Sequence, residues 1–236
     1  MKFNSKLIKA KFIKRYNRFF SNHKLPSGEV VIAYCPNTGS MEGLLNKGSK
    51  SYLSESKNSN RKLKYTWEII EINNHLIGIN TQNANKIIYE NLVNNRIKDF
   101  ENYLSINREI KYGKNCKIDF HLKKNKKNTI WIEVKNVTLS RNKNIAEFPD
   151  SITKRGKKQL EQMQSLLYKG DSVYVIYLIQ RNDVNCFQIA DDIDPLYYKN
   201  CMLNKGLGMQ VLAFTCKLCS ESINLDFDNK VKINYE

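Results

Sequence analysis

The sequence predicts a mixed α and β protein in two parts, a small N-terminal β-barrel followed by an α/β domain on a mixed central sheet. Three observations carry this. Residues 1–82 contain five short strand-like runs separated by turn formers, with no convincing helix. Ile87, Val93, Ile97, Phe100 and Leu104 then recur at helical spacing. Past them, strand alternation returns and is followed by helix, strand, helix and strand, the order of an α/β domain. The expected division is 1–82 barrel, 83–105 helical linker and 106–236 α/β domain.

The barrel strands are read at Ala10–Phe20, Glu29–Tyr34 after the turn Pro26-Ser27-Gly28, Gly48–Ser54, Tyr65–Ile72 and Leu76–Asn80. Five strands in about 80 residues are most commonly arranged as an OB-fold, a barrel that binds nucleic acid through basic grooves and aromatic platforms. Arg15, Tyr16, Arg18, Arg61 and Lys62 are the leading contacts, with Lys11, Lys14, Phe19, Lys64, Tyr65 and Trp67 beside them. Phe12, Phe19 and Trp67 suit the barrel interior equally well. The run Cys35–Met41 holds the turn formers Pro36, Asn37 and Gly39. It is either a structural barrel turn or a loop whose N–H groups, around Asn37 and Thr38, cradle a phosphate.

In the second part, Lys117–Leu122 and Ile130–Lys135 each alternate apolar and polar residues. Ile118, Phe120 and Leu122 share one face and Lys117, Asp119 and His121 the other; Ile130, Ile132 and Val134 point to the core, Trp131, Glu133 and Lys135 away from it. A turn centred near Lys126 would place Asp119 opposite Glu133, about 5 Å away. Two carboxylates so placed repel by about 3 kcal/mol at an effective dielectric of 20. A divalent cation relieves this, and hard oxygen ligands suit Mg²⁺ or Mn²⁺. Lys135 adds a positive donor on the same face. Glu109, in a first strand at Arg108–Tyr112, is either a third ligand or a plain surface acid. Carboxylates, metal and ammonium group together are what metal-dependent phosphodiester hydrolysis requires. The alternative is a solvated polar face with incidental charge pairing.

Phe148-Pro149-Asp150 starts the next helix, with Asp150 as cap and Ile152, Gly156, Leu160, Met163 and Leu167 as its apolar stripe, stopped by Gly170. Its other face offers Arg155 and Lys158 to a phosphate, or simply to solvent. Val173–Ile179 reads as a buried central strand. Asp194-Pro195 opens a helix ending at Gly206, and Val211–Leu218 is the last strand.

Composition narrows the function classes. Across 236 residues, 39 Lys and Arg face 23 Asp and Glu, a net +16, which predicts attraction to polyanions, above all nucleic acid. Asn, Ile and Lys richness of an AT-rich genome also inflates this charge. Residues 1–82 hold 14 basic and 5 acidic side chains, so the N-terminal third is the stronger electrostatic footprint. The apolar run Val173–Ile179 is far short of the ~20 residues of a membrane span, and lysines interrupt Met1–Tyr16, unlike a secretory signal. Six scattered cysteines fit a reducing cytoplasm. Cys216-Lys217-Leu218-Cys219 lacks the second pair a zinc site needs, and one of its cysteines is expected to face the core.

The pattern Asp119-x13-Glu133-x-Lys135 resembles the core of the PD-(D/E)xK nucleases. A longer resemblance runs from about Phe12 to Val211, to the sugar fermentation stimulation protein (SfsA) family. It is carried by Arg15-Tyr16-Asn17-Arg18-Phe19, Cys35–Met41, Arg61-Lys62, Thr66-Trp67-Glu68, Asn80-Thr81-x-x-Ala84-Asn85, Tyr112-Gly113, Ile118-Asp119-Phe120, Ile132–Leu139, Phe148-Pro149-Asp150 and Thr153-x-Arg155-Gly156-x-Lys158. The resemblance implies an OB-fold followed by a nuclease-like domain, double-stranded DNA binding without strong sequence preference, and a regulatory link to maltose metabolism. Asp119, Glu133 and Lys135 match the family's nuclease-like motif. Where the family has a His after Arg-Gly-x-Lys, this chain has Gln159, which weakens His-based proton transfer more than metal hydrolysis. Three readings stay open: a DNA-binding protein with a Mg²⁺- or Mn²⁺-dependent deoxyribonuclease site, a non-catalytic DNA-binding regulator on a nuclease scaffold, and a single-strand or RNA binder acting through the barrel. The oligomeric state is open.

Overall fold

The structure, a computed structural model, describes residues 1–58, 60–112, 116–125 and 129–235. The turn expected near Lys126 lies outside them. The first six strands are Ile8–Tyr16 (β1), Phe20–Lys24 (β2), Val30–Tyr34 (β3), Lys50–Glu55 (β4), Tyr65–Ile72 (β5) and His75–Gly78 (β6). They are ordered β3-β2-β1-β4-β5-β6, and a parallel β3–β5 pairing closes five of them into an OB barrel. The expected strand Ala10–Phe20 is two strands. Asn17 and Arg18, at φ 48° and 59°, reverse the chain between them, and an arginine in that conformation gives no glycine signal to read. Alternation fills the barrel: Ser21, His23, Val31 and Ala33 point in, while Phe20, Asn22, Ile32 and Tyr34 pair across β2 and β3 on the outside. Phe12 stacks on Trp67 at 4.8 Å, both fully enclosed. Trp67 is therefore a core residue and not a nucleic-acid contact, whereas Phe19 is 45% exposed.

The remaining elements are a helix Asn83–Val93 (α1), strands Ser105–Tyr112 (β7), Cys116–Lys123 (β8), Thr129–Val137 (β9) and Asn144–Phe148 (β10), helix Lys154–Leu167 (α2), strands Ser172–Ile179 (β11) and Val184–Ile189 (β12), helix Pro195–Gly206 (α3), and strands Gln210–Leu218 (β13), Ile223–Asp226 (β14) and Lys232–Asn234 (β15). The central sheet runs β14-β13-β11-β9-β8-β7, with β11 parallel to both neighbours and antiparallel pairs outside. A smaller parallel sheet, β10-β12-β15, was not foreseen. Its strands are short and rich in polar residues.

Strand period 2 splits the apolar residues between two cores. Ile130, Ile132 and Val134 of β9, with Ile176 and Leu178 of β11, meet α1 and the barrel residues Leu7, Tyr52 and Ile69. Val173, Val175, Tyr177 and Ile179 meet Leu160, Met163 and Tyr197 of α2 and α3 on the opposite side. The apolar stripe of α1 is thus clamped between barrel and sheet. Thr153, not Asp150, caps α2: its side chain accepts the Gly156 N–H at 3.0 Å. Ile152 precedes that cap and is 76% exposed, so it drops out of the stripe and Leu166 enters it. Asp194 caps α3 through the Tyr197 N–H. Cys216 is enclosed and Cys219 exposed. Among the described residues no helix is long and apolar enough to cross a membrane.

Candidate active site

The antiparallel register of β8 and β9 pairs Phe120 with Ile132 and His121 with Trp131. Continued by one residue, it sets Asp119 opposite Glu133, and the Val134 N–H donates to Asp119 Oδ2 at 2.7 Å. One expectation fails here. Ile118 and Phe120 do not share a face: Ile118 enters the core beneath α2 and Phe120 the core beneath α1. The change coincides with Glu109 on β7, whose φ of 51° interrupts the regular pleat opposite Asp119.

Glu133 is 3% exposed. Its Oε1 accepts from Lys135 Nζ at 2.8 Å and from Gln159 Nε2 at 2.6 Å, while Lys135 Nζ also donates to Gln159 Oε1 at 2.7 Å. Glu133 Oε2 is enclosed and has no hydrogen-bond partner among the described residues. Burial raises the Glu133 pKa above the usual carboxylate value; the Asp119 charge raises it further, and Lys135 and Arg155 oppose the shift. Asp119 Oδ1 accepts from Asn85 Nδ2 at 2.7 Å. A bare, desolvated carboxylate oxygen beside a second carboxylate is a donor set that fits a hard divalent cation.

Both carboxylates, Lys135, Asn85, Gln159 and Arg155 line one cavity of about 520 Å³. A second, of about 440 Å³, shares Thr81, Asn136, Thr153 and Arg155 with it and continues to Arg18 and the loop Asn37–Gly39. The two form a cleft between the barrel loop and the edge of the central sheet. Close approach of that loop requires Gly39, because a Cβ there would meet Asp150 Oδ2 at 2.0 Å.

Several predicted residues fall elsewhere. Glu109 lines the carboxylate cavity, but its carboxylate pairs at 3.5 Å with Lys117 and is 65% exposed. Among the described residues no three His, Cys, Asp or Glu side chains converge as a metal cluster, so Glu109 stands apart from the Asp119–Glu133 pair in this arrangement. The strand kink that holds Glu109 at positive φ accompanies this outward placement. Arg15 spends its guanidinium inside the protein: Nε, Nη1 and Nη2 donate to the carbonyls of Arg18, Gly39 and Asn37 at 3.1, 3.0 and 2.7 Å. It holds the loop through these three bonds. Asn37 is buried, and its Oδ1 takes the Gly39 N–H at 2.9 Å, so that N–H is already used. Thr38 and Arg18 face the cleft. Arg155 lines both cavities, whereas Lys158 is exposed outside their lining. Tyr16, Arg61 and Lys62 lie on another part of the barrel, around Phe20 and Tyr34. Asn85 and Gln159, the partners of Asp119 and Glu133, were not among the predicted site residues. Asn85 stood inside a recognised motif without a role, and Gln159 was noticed only as the replacement of a His.

Comparisons agree with this architecture. The family domain described as "Sugar fermentation stimulation protein RE domain" matches residues 82–222, and the "SfsA N-terminal OB domain" matches residues 13–79. A sugar fermentation stimulation protein homolog of Pelagibacter ubique is 47% identical over 233 residues, 99% of each chain. One of Maricaulis maris is 38% identical over 234 residues, covering 99% of this chain and 100% of its own. The structure of Pyrococcus furiosus SfsA in complex with Ca²⁺ aligns with a TM-score of 0.88 at 20% identity, over 99% of this chain and 98% of that one.

Proposed function

The chain belongs to the sugar fermentation stimulation protein family, and we propose that it is a DNA-binding protein with a metal-dependent phosphodiesterase site in the cleft between barrel and sheet. The observation that carries this is the enclosed Oε2 of Glu133, without a hydrogen-bond partner among the described residues, in a side chain that lines one cavity with Asp119 and Lys135. Asp119 and Glu133 would hold Mg²⁺ or Mn²⁺. Such an ion, when bound, activates water and neutralises charge on the phosphate. That the fold neighbour from Pyrococcus furiosus is a Ca²⁺ complex is in keeping with a hard divalent ion.

The chain's own residues supply the rest. Asn85 and the Val134 N–H fix the Asp119 carboxylate from two sides. Gln159 bridges Glu133 and Lys135, so the ammonium group is held at one position against the cleft. Lys135 is placed to orient a water or to stabilise phosphate charge. Arg155 and Arg18 line the cleft and would take neighbouring phosphates of a DNA strand. A regulatory role in sugar metabolism would work through the same grip on DNA.

The test is incubation of purified protein with plasmid and short duplexes in Mg²⁺ or Mn²⁺, beside Glu133→Ala. Cleavage that the variant loses is the expected result. Equal binding by both proteins with no cleavage in any metal would leave a non-catalytic DNA binder and defeat the hydrolytic reading.

A further inference from the structure

The barrel carries an aromatic platform that the cleft does not use. Phe20 and Tyr34 are cross-strand partners on the outer face of β2 and β3. Tyr16 stacks on Phe20 at 5.6 Å with rings 20° apart. Beside this platform, Ile32 is 45% and Val30 54% exposed. Cations surround it: Lys14 Nζ lies 5.8 Å from the Tyr16 ring, Arg61 sits 5.8 Å over Tyr34, and Arg61 and Lys62 line a hollow with Phe20 and Tyr34. Flat rings flanked by cations match the chemistry of an unpaired polynucleotide strand, whose bases have π-faces and whose backbone is anionic. A base-paired duplex hides those faces within its own stack.

The platform also connects to the carboxylates. Tyr34 and Arg61 line a cavity of about 740 Å³ that reaches Gln82 and Lys86. Gln82 and Lys86 in turn line the cavity of Asp119 and Glu133. Shared walls therefore run from the rings to the candidate site.

We infer that this face binds a single-stranded segment, so that the preferred nucleic acid carries an unpaired tail next to the site. The tail's bases stack on Tyr16, Phe20 and Tyr34, and its phosphates follow Arg61 and Lys86 into the cleft. The inference rests on the DNA-binding reading above, and it names the substrate class of that same site.

Fluorescence anisotropy with labelled oligonucleotides tests it, without added metal so that nothing is cut. The probes are a blunt duplex, the same duplex with a ten-nucleotide tail, the tail alone as DNA, and the tail alone as RNA. Wild type should bind tailed duplex and free tail at least ~10-fold more tightly than blunt duplex. Tyr34→Ala should weaken binding of the tailed probes about 5- to 150-fold, the range for one lost base–aromatic stack. Tyr34→Phe, which keeps the ring, should restore it, and blunt-duplex affinity should stay within about twofold throughout. Whichever tail binds more tightly identifies the strand as DNA or RNA. Equal affinity for blunt and tailed duplex, or equal losses on both in Tyr34→Ala with unchanged thermal melting, overturns the inference while leaving DNA binding standing. Failure to bind any probe overturns the DNA-binding reading itself. If the wild type sediments as a dimer and Tyr34→Ala as a monomer, the face is an interface between copies, and the inference falls.

Discussion

Glu68, where the barrel meets α1, and Glu133, in the cleft, are buried to nearly the same depth, 6% and 3% exposed. Their surroundings differ in kind. Glu68 Oε1 accepts from Ser54 Oγ at 2.7 Å, and its Oε2 accepts from Asn80 and Asn83 Nδ2, each at 2.9 Å. Both oxygens are satisfied, by donors from β4, from Asn80 ahead of α1 and from Asn83 at its start, so the carboxylate ties barrel to helix. Glu133 has two donors crowded on one oxygen and, among the described residues, none on the other. Burial with both oxygens engaged is architecture. Burial with an oxygen left bare costs free energy that folding does not recover, and under the proposed function a bound cation would recover it.

The largest contrast should come from two matched substitutions. Glu68→Gln turns an acceptor into an NH₂ group facing one of its donors, so it should destabilise the protein by about 1–3 kcal/mol. Calorimetric titration should show Mg²⁺ or Mn²⁺ binding retained. Glu133→Gln should do the reverse, with metal binding lost and thermal stability in chelator held or raised, because a desolvated charge has gone. Comparable metal loss in both variants would break the distinction between the two carboxylates.

Acidification should separate Glu133 from a third enclosed glutamate, Glu147. Burial pushes the Glu147 pKa up, but hydrogen bonds from the Arg141 side chain and N–H and from Gln188 outweigh it, leaving it below the usual 4.5. Stability from Glu147 is therefore present above pH 4.5 and lost as pH falls through its lowered value. Glu133 has the opposite sign. Its pKa in the metal-free fold is raised above 4.5, so the ionised form costs stability at high pH, and the cost is relieved as pH falls through the raised value. Protons then compete with metal in that same window. Metal affinity should fall about tenfold per pH unit below the raised pKa, at a pH above the ordinary carboxylate range, while thermal melting in chelator shows no loss until Glu147 titrates. Metal affinity that holds down to pH 4.5 would contradict the environment assigned to Glu133.

The same contrast explains what the sequence could and could not reveal. Alternation over Lys117–Leu122 and Ile130–Lys135 is a local signal, and it carried the strands and the Asp119–Glu133 juxtaposition, though not the parting of Ile118 and Phe120 into opposite cores or the enclosure of Lys135 against Glu133 and Gln159. Long-range partners have no such period. Asn85 reaches Asp119 across 34 positions and Gln159 reaches Glu133 across 26, and neither residue type announces a site. The loop-holding bonds of Arg15 were hidden in the same way, because charge is visible in a sequence and carbonyl partners are not. The exposure of Glu109 and its pairing with Lys117 had no sequence signal either, since they accompany one residue at positive φ. The barrel was readable as a set of strands, yet the break at Asn17 and Arg18 was hidden because no glycine marks it and an arginine seldom adopts that conformation. The sheet β10-β12-β15 was missed because its strands lack a clean apolar period.

The smallest expected effect concerns the cleft wall. Arg155 lines both cavities between the Asn37–Gly39 loop and the carboxylates, whereas Lys158, one turn along the same helix, lies outside them. If DNA follows the cleft, Arg155 neutralises a phosphate and Lys158 does not. Arg155→Ala should then lower the slope of log binding constant against log salt by about 1, and it should do so for every DNA sequence alike. Lys158→Ala should leave the slope unchanged, although both substitutions remove one positive charge from one helix. That equality of charge makes the pair informative, since a general electrostatic attraction would respond to the two losses equally. Equal slope changes would mean that DNA lies across the lysine-rich face of α2, with the carboxylate cleft to one side of its path.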